Sequence, residues 1–240
     1  LERSGADVVH ISPSHHFPTG TVTPASRRYE LLGWAAKQEG RYIIEDEYDS
    51  EFRLVGNPIP ALQSIDASDK VIYMNTFSKS LSSTIRISYM VLPIPLMVRY
   101  NHVLSFYACT VSNFDQYTLT RFIQEGYLEK HINRMRKFYR NSRDRILGCI
   151  RNHRLYPQVT IKEENAGLHF LMEIDTSYTD REMVDRAAAA GINISSLSQY
   201  CHGKEQEDSH TLVINYSGIE EDIIEEACDR LLESVVRLTT

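Results

Sequence analysis

The run Thr76-Phe77-Ser78-Lys79-Ser80-Leu81-Ser82-Ser83-Thr84-Ile85-Arg86 sets one lysine among hydroxyls, with an arginine downstream. A primary amine condenses with an aldehyde to form a Schiff base. Hydroxyls and a guanidinium are suitable donors to a phosphate. Some thirty residues earlier stands Glu45-Asp46-Glu47-Tyr48. A carboxylate there can keep a heterocyclic nitrogen protonated, and a phenol can hydrogen-bond an anionic oxygen.

The elements around these residues decide whether they can meet. Residues 7–12 read as a strand ended by Pro13. Thr23 is expected to cap a helix with Pro24 at its first position and Gly40 past its end. Leu31, Leu32, Ala35 and Ala36 form its apolar stripe beside Trp34. Residues 42–44 are a second strand running into the acidic cluster. Strand, helix and strand make a βαβ unit, so a parallel sheet is expected. Residues 49–69 look like loop; 71–74 and 87–92 are further strands, the last stopped by Pro93 and Pro95. Lys79 therefore follows a strand at the sheet edge where α/β proteins place ligands. Roughly 96–108 and 113–152 read as helical. Beyond Pro157 come a strand at 169–172, a helix opened by the capping box Thr179-x-x-Glu182, a strand at 212–214 and a closing helix over about 220–236. Ala187-Ala188-Ala189-Ala190-Gly191 reads as a helix end. The expected division is 1–112 as a sheet domain, 113–152 as a linking helical segment and 153–240 as a small α+β domain.

Pyridoxal 5′-phosphate carries an aldehyde, a phosphate, a pyridine nitrogen and a phenolic oxygen, and so matches this donor set. Each residue also has a plainer reading. Lys79 can be a solvated lysine, Asp46 one of several exposed acids at a strand end, and Tyr48 a phenol satisfying a backbone group. Arg86 can belong to a surface ion pair, and Thr76 can close the local turn. His15 and His16 lack a third metal ligand at sensible spacing and read as a turn at a cavity edge. The arginines from Arg134 to Arg145 are flanked by Glu125, Glu129 and Asp144 and read as a solvated helix face. Tyr200-Cys201-His202 reads as a loop that can line a pocket. Charged residues make up 24% of the chain, and 26 Lys and Arg against 32 Asp and Glu leave a net charge of −6. That balance argues against gripping nucleic acid or an anionic membrane as the main task. No apolar run is long enough to span a bilayer. Four scattered cysteines without a CxxC pair argue against a disulfide scaffold or a cysteine zinc site and fit a reducing, cytoplasmic setting.

Glu45-Asp46-Glu47-Tyr48-Asp49-Ser50-Glu51-Phe52-Arg53 and Thr76-Phe77-Ser78-Lys79-Ser80 resemble the fold-type I aminotransferase superfamily. More narrowly they resemble the aminotransferase-like domain of MocR-type regulators in the GntR superfamily. Ser12-Pro13-Ser14-His15-His16-Phe17-Pro18-Thr19-Gly20 and Ala166-Gly167-Leu168-His169 extend the resemblance over essentially the whole chain. It implies an α/β fold, a partial three-layer αβα sheet domain followed by a small α+β domain. It implies Lys79 as the Schiff-base lysine, Asp46 as partner of the pyridine nitrogen and Tyr48 as partner of the phenolic oxygen. Thr76, Ser78 and Arg86 match the phosphate ligands. Phe17 stands where true aminotransferases carry an asparagine that contacts the cofactor, so Pro18-Thr19-Gly20 is expected to form a turn. Val213 falls where class I/II enzymes carry the arginine that clamps the substrate carboxylate, and valine cannot replace a bidentate clamp.

The resemblance also implies that the chain is the C-terminal portion of a regulator, truncated at its start, with a winged-helix DNA-binding domain further upstream. The expected function is an effector sensor: an amine or amino acid, or pyridoxal phosphate itself, shifts open and closed states. Homodimerisation is implied as well. A working class I/II aminotransferase and a degenerate dimerisation domain are the alternatives.

Overall fold

Four apolar runs in the first part of the chain pair into one sheet in the order β1-β2-β3-β4. They are β1 (Val8–Ile11), β2 (Tyr42–Asp46), β3 (Val71–Thr76) and β4 (Ser88–Val91). The structure is a computed structural model and describes residues 1–57, 59–201 and 208–236. β1, β2 and β3 are parallel, and β4 returns antiparallel to β3. Helix α1 (Ala25–Ala36) makes the crossover from β1 to β2. Its Trp34 and Ala35 are buried with Ile43, Leu62 and Val71, and Val9, Ile11, Leu31 and Leu32 pack around them. The apolar stripe thus faces the sheet, as the spacing requires.

Local details differ from the sequence reading. α1 is capped by Pro24, not Thr23; no side chain caps it, and the Thr23 amide instead donates to the Pro13 carbonyl at 2.8 Å. The stretch 49–69 is not all loop. It holds a 3-10 turn at Ser50–Phe52 and a short helix, α2 (Leu62–Ile65). The Glu45 carboxylate accepts from the amides of Leu62 and Gln63 at 2.6 and 2.9 Å, which fixes that helix start. α3 (Phe77–Ser80) follows β3 directly. Pro93 and Pro95 do not merely stop a strand: Pro95 lies in the first turn of α4 (Ile94–Leu104), where a proline costs no hydrogen bond. The long helical stretch is two helices, α5 (Asn113–Gln124) and α6 (Tyr127–Asn152). Gly126 breaks them apart with φ +72°, a left-handed conformation that glycine adopts without strain.

The remaining strands form a second, antiparallel sheet in the order β5-β6-β8-β7: β5 (Val159–Lys162), β6 (His169–Ile174), β7 (Ser195–Ser196) and β8 (Thr211–Asn215). β5 and β7 were not among the expected strands; β7, with two residues, carries no periodicity to read. Between β6 and β7 runs α7 (Asp180–Ala189), opened by the Thr179–Glu182 capping box and closed at Gly191. α8 (Ile224–Val235) packs on α7. Phe170, Met172, Leu212, Met183 and Leu232 are fully buried here.

The chain forms two compact units. The first comprises Leu1–His16, Thr21–Glu51 and Gly56–Met135; the second comprises Phe17–Gly20, Phe52–Val55 and the described part of Arg136–Thr240. Two short inserts therefore belong to the second unit, through backbone bonds such as Leu54 to the Asn165 carbonyl and Gly167 to the Phe52 carbonyl. No described helix is long and apolar enough to cross a membrane.

Candidate functional site

β2 and β3 are adjacent parallel strands whose register pairs Asp46 with Met74. Both strands end at the same edge, so the chain placed after Asp46 and the chain placed after Thr76 leave the sheet side by side. Lys79 lies on α3, one turn beyond the end of β3. It is exposed, and its amine has no hydrogen bond or ion pair among the described residues.

Thr76, Ser78 and Arg86 are brought together. Thr76 caps α3 by accepting from the Ser78 amide at 3.2 Å. Its hydroxyl also lies 3.2 Å from Ser78 Oγ and 3.3 Å from the Ile87 carbonyl. Ser78 Oγ donates to the Ile85 carbonyl at 2.9 Å, and Arg86 Nη1 donates to Ser78 Oγ at 3.4 Å. The hydroxyls do close the local turn. In doing so they hold an exposed guanidinium beside the lysine-bearing turn.

Asp46 is not the buried acid of the cluster. Its side chain is 34% exposed, and its Oδ2 lies 3.2 Å from His10 Nε2 at the end of β1. The buried acids are Glu45, Glu47 and Asp49. Strand alternation explains this, because residues two apart share a face and Asp46 and Tyr48 point the other way. Glu47 accepts from Ser14 Oγ at 2.7 Å. Burial pushes the Glu47 carboxyl up to about 8, with the neighbouring Glu45 carboxylate adding to the rise. Burial also raises Glu45, opposed by its two backbone amides and by Arg28. Arg28 is itself buried and donates to the carbonyls of Thr23, Pro60 and Pro13. It ties three loops together beside the two carboxyls.

The Tyr48 hydroxyl donates to the His15 carbonyl at 3.0 Å and lies 3.3 Å from His15 Nδ1. That nitrogen lies 2.8 Å from Asp49 Oδ2, and both side chains are almost wholly buried. Burial raises the Tyr48 phenol well above its usual value, and Asp49, Asp46 and Glu47 add to the effect. His15 is thus a buried partner of Asp49, while His16 is exposed. The sequence reading missed His10, His15 and Asp49 as site residues. Alternation could have shown only that Glu45, Glu47 and Asp49 share a face opposite Asp46, not which face is buried.

The second unit contains a hollow of about 460 Å³ lined by Phe17, Tyr200, Ile194, Val213 and Asn215 among others. No charged side chain lines it among the described residues. Val213 is buried in β8. Phe17 packs edge-on against His169 and Tyr200, with ring centroids 5.3 and 5.0 Å apart. His202, expected in the same loop as Tyr200, lies outside the described residues, as does Pro58. The arginine-rich face of α6 is mostly solvated, with one exception. Arg143 is buried, bonded to Asp144 and to the Glu164 carbonyl.

Residues 4–231 match the family model described as aminotransferase class I and II. The chain belongs to the class I and II aminotransferase family. Within the family it is similar to the HTH-type transcriptional regulator YdeL of Bacillus subtilis, with 41% identity over 96% of this chain and 49% of the relative. It is 32% identical to the probable rhizopine catabolism regulatory protein MocR of Rhizobium meliloti, over 98% of this chain and 47% of that one. The chain thus spans about half the length of these curated relatives. Among solved aminotransferase structures, that of Pyrococcus horikoshii kynurenine aminotransferase superposes with a TM-score of 0.83 at 28% identity, covering 98% of this chain and 58% of that one. The fold is α/β of the fold-type I aminotransferase kind. The family's cofactor is pyridoxal phosphate. The donor set at the β2–β3 edge fits it chemically: an amine with no partner among the described residues, a partly exposed carboxylate, a phenol, two hydroxyls and a guanidinium.

Proposed function

We propose that this chain is the pyridoxal-phosphate-binding, effector-sensing part of a MocR-type transcriptional regulator. The observation that carries the reading is the match to regulators along nearly the whole chain, together with a valine in β8 where the family's carboxylate-clamping arginine is expected. When bound, the cofactor supplies an electrophilic carbon and an electron sink for amine chemistry. Lys79, whose amine can condense with an aldehyde, would hold the cofactor. Asp46, 3.2 Å from His10, would be the carboxylate for the ring nitrogen. Tyr48 would donate to the phenolic oxygen, and Thr76, Ser78 and Arg86 would hold the phosphate.

The effector is an amine or amino acid, or the cofactor itself, and its recognition does not use a bidentate arginine at position 213. Sensing requires only that the effector favour one conformation over another. DNA contact belongs to a helix-turn-helix domain outside this chain, and the regulator is a cytoplasmic homodimer. The test is reduction with borohydride after addition of pyridoxal phosphate. We expect a visible band that becomes fixed to the protein, with the label mapping to Lys79. A label elsewhere, or none, overturns the reading.

A second reading, a working aminotransferase, draws support from the 0.83 superposition on kynurenine aminotransferase and from the presence of Lys79, Asp46 and Tyr48. Sustained keto-acid release from a panel of amino acids would favour it over a pure sensor. If Lys79→Ala leaves the regulator's effector response unchanged, a degenerate dimerisation domain is the better description.

A further inference from the structure

Tyr48 carries one proton, and three acceptors lie within its reach or its role: the His15 carbonyl, His15 Nδ1 and the cofactor's phenolic oxygen. Within the protein the His15 carbonyl accepts that proton at 3.0 Å, and the ring nitrogen is the second acceptor within reach. It stands 3.3 Å from the hydroxyl, yet it also stands 2.8 Å from Asp49 Oδ2. With Asp49 ionised, its carboxylate can only accept, and the shorter contact then places the proton on Nδ1. A protonated Nδ1 cannot take the proton of Tyr48. The pair is built into the fold: His15 lies in the turn after β1, Asp49 in the turn after β2, and both are nearly sealed from solvent.

We propose that Asp49 and His15 are positioning residues that direct the Tyr48 hydroxyl, by keeping His15 Nδ1 protonated and so removing it as an acceptor. This leaves the His15 carbonyl as the resting partner and the cofactor's phenolic oxygen as the productive one. The inference rests on the cofactor reading above. The titratable groups facing the Tyr48 hydroxyl are the carboxyls of Asp46, Glu47 and Asp49 and the His15 imidazole.

Two measurements test it in the intact protein. Nitrogen-15 NMR of the cofactor-free protein should show a protonated His15 Nδ1 in wild type, lost in Asp49→Ala; an unprotonated Nδ1 in wild type overturns the proposal whatever the cofactor does. With pyridoxal phosphate bound, the pH midpoint of its visible band should rise in Tyr48→Phe, because losing a donor leaves the phenolic oxygen more basic. Asp49→Ala should raise it in the same direction, and the double variant should add little to Tyr48→Phe alone. A midpoint unmoved in Asp49→Ala, or two additive shifts, sinks this inference while the cofactor reading stands. A wild-type protein with no visible band sinks both. His15→Gln guards against simple unfolding: its amide N–H can donate to Asp49 as Nδ1 does, so it should retain the band with a midpoint nearer wild type than in Asp49→Ala, and a midpoint raised as far as in Asp49→Ala counts against the proposal.

Discussion

Both sheets bury an apolar core, but the first also buries a cluster of charged side chains at its edge. In the first unit the edge beyond β2 buries Glu45, Glu47, Asp49, His15 and Arg28, held by hydrogen bonds from named partners. β4 is exposed along its whole length, and α4 buries no residue at all. In the second unit β6 and β8 bury nearly every residue, and the core is Phe170, Met172, Ile174, Leu212 and their neighbours on α7 and α8. The first sheet positions chemistry with desolvated polar groups, each of which must keep its partner. The second derives its stability from apolar burial, which is non-directional and tolerates change in proportion to volume.

Four substitutions test that difference. Phe170→Ala, at a fully buried position, should cost about 4 kcal/mol in denaturant unfolding of the second unit, with no change in cofactor labelling at Lys79. Arg28→Met preserves much of the volume but strips three carbonyls and two buried carboxyls of their cation. It should cost about 3 kcal/mol and also impair cofactor capture. If Arg28→Met proves neutral, the first unit is held by packing and the contrast fails.

Glu47→Gln tests the same point through pH. Burial raises this carboxyl to about 8 in the folded protein, against 4.5 as its ordinary value. Between those values the folded state holds a proton that the unfolded chain releases. Stability from this group is therefore fully present below about 4.5 and is lost as pH rises towards 8. Thermal melts should show the Gln variant gaining on wild type across that window and levelling off above it. A difference that does not vary with pH would mean that the carboxyl is already charged in the fold. The smallest effect is expected for Thr179→Ala, which removes one half of the α7 capping box. It should cost about 1 kcal/mol by denaturation, without touching the first unit's chemistry.

The candidate set at the β2–β3 edge could be read from the sequence because its residue types stand close together along the chain. Thr76 ends β3, Ser78 and Lys79 lie on α3 and Arg86 follows before β4, while Asp46 ends β2 and Tyr48 comes two residues later. The capping box, the βαβ unit and the glycine closing α7 were legible for a related reason, since each is a local pattern with a local cause. The α5–α6 break was missed, although Gly126 stood in plain view, because both flanking stretches are helical by composition. Capping by Thr23 failed because its amide found a partner in Pro13, across a loop. Arg143 looked like its solvated neighbours until Glu164 came to meet it.

The amino-acid order alone determined which groups could act and on which strand ends they would stand, because strand periodicity and turn chemistry are properties of neighbouring residues. Only the folded chain decided that Glu45, Glu47 and Asp49, rather than Asp46, are buried. It also decided that His15 reaches Asp49 and Tyr48 from more than thirty residues away. Desolvation and hydrogen-bond partnership depend on what the rest of the chain brings alongside, and no local pattern carries that information.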